Sequence, residues 1–255
     1  MTDFNNVELP GSLFDHVNLG GAQFRSVYLT EATFRSVDFS RVTMRGVDLI
    51  DVDIHGEVEN LVINGVDVTP LIEAELDRRH PERIKMRPTD ADGFREAWRI
   101  LDHLWEGTMK RARSMAPEQL HQRVDGEWSF IETLRHLSYA TDCWVYRAIL
   151  GEMSPWDPLD LPHDEAADGP EFSPDRNAAP TLDTVLALRH SRSAAVRSFI
   201  EQLTENQLDS ENAVEGPGWP PPGNYRVRTC LRVVLNEEWQ HRLYAERDFE
   251  ILVAH

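Results

Sequence analysis

Only two cysteines, Cys143 and Cys230, occur in the 255 residues, each inside an apolar, helix-like stretch and not in the paired spacing of a disulfide framework or zinc knuckle. A disulfide scaffold is thereby excluded, and a reducing, cytoplasmic setting is expected. Basic charge is short as well. Lys and Arg number 26 against 44 Asp and Glu, a formal net charge of -18, and a surface of that sign is poorly suited to neutralising phosphates. Nucleic acid is not expected as a partner. No apolar run approaches the roughly eighteen residues that span a bilayer, and the first residues lack a basic start followed by an apolar stretch. Neither export nor a membrane is expected. What is present, 41% hydrophobic residues, is enough to fill a core, so a folded chain is the expectation.

Large apolar residues recur at Leu9, Phe14, Leu19, Phe24, Leu29, Phe34, Phe39, Met44, Leu49 and Ile54, a period of five. Two positions before each stands a smaller residue: Val7, Ser12, Val17, Ala22, Val27, Ala32, Val37, Val42, Val47 and Val52. Neither a helix nor a strand puts every fifth residue on one side. A square coil does, with both columns inward and one five-residue unit per side. The pattern resembles the pentapeptide-repeat family, which implies a short right-handed quadrilateral β-helix over residues 1–69. The register slips after Ile54 and resumes weakly at Leu61/Ile63 and Val66/Val68. A helix within Pro70 to His80 would cap the stack, and a basic linker would run to residue 89.

From residue 90 the period becomes helical. Asp90 or Asp92 caps a first helix bearing Phe94, Trp98, Leu101, Trp105 and Met109. A second spans about Ser129 to Leu150, a third about Thr181 to Leu203 and a fourth about Arg228 to Val253. Met153 to Pro180 and Gly216 to Gly223 are breaks rich in Pro and Gly. The expectation for residues 90–255 is therefore an all-α four-helix bundle with a long crossover between helices two and three.

Glu237 and His241 are spaced i, i+4 and share a face of the fourth helix, while His136 lies on the second. If the three converge, they form a His₂Glu donor set that leaves a zinc-like ion one open position. The spacing by itself also fits a solvated salt-bridge face. Glu132, four before His136, raises the alternative of a dinuclear carboxylate site. Glu238 is turned about 100° from Glu237 and is expected in solvent. His103 and His121 are expected at the surface or at helix ends. His163, in the crossover, is a candidate acid/base or substrate contact, with an ordinary loop histidine as the alternative. Cys143 lies seven residues after His136 and Cys230 seven before Glu237, so both are expected as packing thiols in one buried layer beneath the site.

Gly126-Glu127-Trp128-Ser129, His136, and Asn236-Glu237-Glu238-Trp239-Gln240-His241 resemble the DinB superfamily, in the branch of mycothiol-dependent transferases. The resemblance covers residues 90 to 253. It implies that His136, Glu237 and His241 bind a divalent metal, zinc or nickel, with Glu237 standing where many members carry histidine, a change that alters metal preference. It also implies a low-molecular-weight thiol, mycothiol or bacillithiol, as co-substrate for S-transfer to a small electrophile or for thiol-dependent isomerisation. Two rivals remain. The same donors would serve a hydrolase that activates water. Alternatively, the repeat, with eleven Asp/Glu against four Arg over residues 1 to 70, would be an interaction or DNA-mimic module, although three coils are short for that. The repeat is otherwise expected to pack on the bundle or to mediate a homodimer.

Overall fold

The structure, a computed structural model, describes residues 4–163 and 172–254. The chain divides into two compact units, residues 1–56 and 57–255.

In the first unit a residue of positive φ recurs at every fifth position: Asn6, Gly11, His16, Gly21, Ser26, Glu31, Ser36, Arg41, Gly46, Asp51 and Gly56. These are the corners the period predicts. In Leu9-Pro10-Gly11-Ser12 the proline presets φ, the glycine takes the left-handed position, and the Ser12 N–H donates to the Leu9 carbonyl at 3.3 Å, as in a type II turn. The same bond recurs from Ala22 to Leu19, Ala32 to Leu29 and Val42 to Phe39.

The apolar columns do not turn into a closed interior. Leu9 and Phe39 are 48% exposed, Phe14 60% and Phe24 64%. Among the described residues no strand precedes Val62, and no backbone hydrogen bond joins one of these turns to the next. Period and corners are present without the ladder that would cover the columns. Leu29 and Phe34, in the middle of the run, are both 54% exposed, so it is the want of hydrogen bonds between turns, and not the ends of a short stack, that leaves the columns uncovered.

The second unit opens with a hairpin, Val62–Ile63 (β1) against Val66–Asp67 (β2). Its turn, Asn64-Gly65, has positive φ at both residues, as a two-residue type I′ turn requires. These residues therefore form a hairpin where the sequence pattern suggested faltering repeats. Helix α1 (Thr69–Arg79) follows, with Pro70 in its first turn. The stretch expected as linker is instead built into the fold. Residues Pro81–Met86 form a 3₁₀ turn packed against α1 and the helices beyond, Met86 is buried in the core, and Arg83 donates to Glu73 and Asp77 of α1 at 2.7 and 2.6 Å.

Helix α2 (Ala91–Ala112) is capped by Asp90, whose carboxylate accepts from the Gly93 N–H. Helix α3 (Phe130–Thr141) starts in a capping box. The Ser129 hydroxyl accepts from the Glu132 N–H, and the Glu132 carboxylate accepts from the Ser129 N–H. Past Thr141 the same helix loosens into a π turn, Asp142–Arg147, with the Ala148 N–H reaching back five residues to Cys143. No helix or strand is assigned in the described part of the crossover before α4 (Leu182–Glu201); its middle, residues 164–171, lies outside the described residues. After α4 come α5 (Glu205–Leu208) and an antiparallel hairpin, Glu211–Val214 (β3) with Gly223–Arg226 (β4), where the sequence showed only a break. Helix α6 (Val227–Ala254) closes the unit.

Helix α3 packs against α4 and α6, and α2 packs against the same two. The four thus touch as a ring. Two apolar clusters fill it, one around Phe94, Leu101, Val234 and Trp239, the other around Trp105, Ile131, Leu134 and Phe249. Burying each such side chain contributes about 1.5–3 kcal/mol, so the rows on α3 and α6 that flank the polar residues hold those residues in place.

Candidate metal centre

Helix α3 brings His136, and α6 brings Glu237 and His241, to one point. Nε2 of His136 lies 3.4 Å from Oε2 of Glu237, and Nε2 of His241 lies 3.1 Å from the same oxygen. One donor atom from each residue lies within 4.8 Å of the others. These are the three residues the sequence nominated as a donor set.

The protonation of His136 decides what can sit among them. Its Nδ1 is 3.0 Å from the Leu161 carbonyl, a group that can only accept, so Nδ1 carries the proton. With Nδ1 engaged there, it is Nε2 that faces the Glu237 carboxylate oxygen. Across that 3.4 Å a proton on Nε2 or a bound cation can bridge the two atoms, and the His₂Glu set suits a divalent ion. Burial disfavours the charge on Glu237, but hydrogen bonding and charge from His136 and His241 outweigh it, and the carboxyl is held well below its ordinary range. Trp128, the residue just before the α3 cap, lies over both imidazoles, 4.5 Å from His136 and nearly parallel to His241 at 5.8 Å. Tyr244, one turn on from His241, meets it edge-on at 5.8 Å.

The other nominated residues fall elsewhere. Glu132 is committed to the capping box and to Arg123, so it supplies no second metal site. Glu238 is buried and not solvated: its carboxylate accepts from Arg189 of α4 at 2.9 Å. The 100° turn from Glu237 points it at α4, which single-helix geometry does not reveal. His163 packs edge-on against Trp219 at 5.0 Å and lies 6.2 Å from Tyr139, outside the group of three. His103 and His121 are exposed. Both cysteines are buried, and burial pushes each thiol up to about 12, as packing residues require. Their surroundings differ: Cys143 meets Tyr139 and Trp156, whereas Cys230 packs with Ala148 and Val214.

Sequence reasoning missed a buried charge cluster beside the crossover. Arg192 of α4 donates twice to Asp142, at 2.8 and 2.9 Å, and Asp160 of the crossover lies against Asp142 with both carboxyls fully buried. Burial, then the charge on Asp142, push Asp160 up to about 9. Between the ordinary aspartate value near 3.8 and about 9 the folded state holds a proton the unfolded chain has released. Stability falls as pH rises through that window. Asp160→Asn keeps the shape without the titrating proton, and urea denaturation at pH 6 and pH 9 is expected to show a smaller loss for the variant than for the wild type. A parallel fall in both would remove Asp160 as the cause.

A family model described as pentapeptide repeats matches residues 18–56 in eight copies. No helix among the described residues is long and apolar enough to cross a membrane. No curated protein and no solved structure matches the chain. A second family model, described as the DinB superfamily, matches residues 100–245. Since this match spans more than half of the chain and contains all three converging donors, the protein belongs to the DinB superfamily, whose members bind metal.

Proposed function

We propose that the protein is a metal-dependent enzyme that uses a low-molecular-weight thiol, such as mycothiol or bacillithiol, either transferring it to a small electrophile or using it to assist an isomerisation. The supporting observation is the number of donors: three protein ligands within 4.8 Å of one another leave a four-coordinate ion one place for an external ligand. Zinc, or nickel, bound there would lower the pKa of a thiol in that place and present it as a nucleophile. His136, Glu237 and His241 hold the ion. Trp128 covers the imidazoles and keeps water from that side. His163 is the group we assign to proton delivery as sulfur bonds to the electrophilic carbon and the leaving atom takes the electron pair. In this reading α2, α3, α4 and α6 form a four-helix bundle and the protein works in the cytoplasm. Residues 1–56, with apolar columns about half exposed, would offer a surface to a second copy of the chain.

The test is turnover of a panel of small electrophiles by zinc-loaded protein with thiol supplied and withheld. Product is expected only with thiol. Equal turnover with water alone would replace the transferase by a hydrolase built on the same ligands.

A further inference from the structure

One side chain fastens the crossover to α3. Arg135 is fully buried, and its guanidinium donates to three backbone carbonyls: Leu159 at 2.7 Å, Asp175 at 2.5 Å and Ala178 at 2.9 Å. The three come from both ends of the described crossover. Negative charge reaches Arg135 only through space, from Glu132, Asp175 and Asp160. A buried cation held by neutral carbonyls is a costly way to secure a loop, and the main chain beside it suggests what the arrangement secures. The Leu161 N–H donates to the Arg135 carbonyl at 3.4 Å, and the Leu161 carbonyl accepts from Nδ1 of His136 at 3.0 Å. The peptide segment pinned by Arg135 at Leu159 therefore reaches the adjoining histidine two residues later.

We infer that Arg135 is a positioning residue of the metal centre. By pinning residues 157–161 to α3 it keeps the Leu161 carbonyl on Nδ1 of His136, and so keeps Nε2 aimed at Glu237 and His241. The inference rests on the metal-site reading above. Arg147 provides an internal control. It is also buried and donates to three carbonyls, Met153 at 2.7 Å and Glu215 and Gly216 at 2.9 Å, yet among the described residues none of these three is hydrogen-bonded to His136, Glu237 or His241.

The experiment uses the full chain and three variants: Arg135→Lys, which keeps the charge but loses the planar fork, Arg135→Gln, which removes the charge and guards against failure of the first to fold, and Arg147→Lys. Folding is checked by circular dichroism. Long-range ¹⁵N correlation spectra of the histidine side chains read the His136 tautomer in metal-free protein, and zinc titration reads affinity. A proton held on Nδ1 is expected in the wild type, and one that exchanges between the two ring nitrogens in the Arg135 variants. Zinc affinity is expected to fall about 10–100-fold in those variants, the scale of losing an outer partner of a metal-binding histidine, and to stay within about threefold in Arg147→Lys. Wild-type tautomer and affinity in the Arg135 variants would overturn the inference, as would an equal loss in Arg147→Lys. Absence of zinc binding by the wild type would remove the metal reading, whereas the tautomer spectra would still decide whether Arg135 positions His136.

Discussion

Replacing Arg189 by alanine is expected to lower the stability of the protein by about 3–5 kcal/mol, the cost of stranding one member of a buried ion pair. Arg189 and Glu238 are both buried and joined at 2.9 Å across α4 and α6, and the guanidinium also lies 5.0 Å from the centre of the Trp105 ring. Alanine removes the cation and leaves the carboxylate in an apolar layer. Replacing both partners, as Arg189→Met with Glu238→Leu, should restore most of the loss, because a buried pair exchanged for well-packed apolar residues is often neutral or stabilising. Chemical denaturation of the wild type, the single variant and the double variant decides it. A single-variant loss below about 1 kcal/mol, the range of solvated surface pairs, would place Glu238 in solvent, where sequence geometry first located it.

Glu237→Gln should produce the largest change at the site itself. Glutamine is nearly isosteric but carries no charge, so the cation would lose its one anionic ligand while both imidazoles stay in place. Metal affinity is expected to drop by at least about 100-fold, since loss of an outer partner alone reaches that scale; competition titration with a chromogenic chelator measures it. In metal-free protein the same carboxylate adds a pH dependence. Its pKa is depressed in the folded state despite burial, through His136 and His241, so its contribution is present above the ordinary value near 4.5 and is lost as pH falls below it. Metal-free wild type should lose stability on acidification through this range more steeply than the glutamine variant. Equal metal affinity in the two proteins would exclude Glu237 as a ligand.

Much of this was legible from residue order, because it depends on one element at a time. The five-residue period announced corners that the positive φ values from Asn6 to Gly56 reproduce. The Glu237/His241 spacing placed two donors on one face of α6, and Asp90 and Ser129 marked the starts of α2 and α3. What was not legible depends on a second element. That Glu238 is buried requires Arg189 from α4. That Glu132 is unavailable to a metal follows from Arg123 as well as from its own capping box. The π turn at Asp142–Arg147 leaves no periodic trace in the sequence. Two short-range signals were present in the sequence: Asn64-Gly65, a two-residue hairpin turn between apolar residues, and Arg135, a charge beside His136 on a helix whose other neighbours are apolar. The apolar columns of the repeat mark the limit of periodicity. Sequence spacing specifies which side chains share a side, but not whether successive coils hydrogen-bond closely enough to cover them.

Metal content of protein purified without chelator, wild type beside His241→Ala, tests the centre of this account most directly. We expect on the order of one divalent ion per chain in the wild type, as a three-donor site holds, and little in the variant, with circular dichroism unchanged between them. Equal metal in both, whether stoichiometric or negligible, would contradict the assignment of His136, Glu237 and His241 as the metal site.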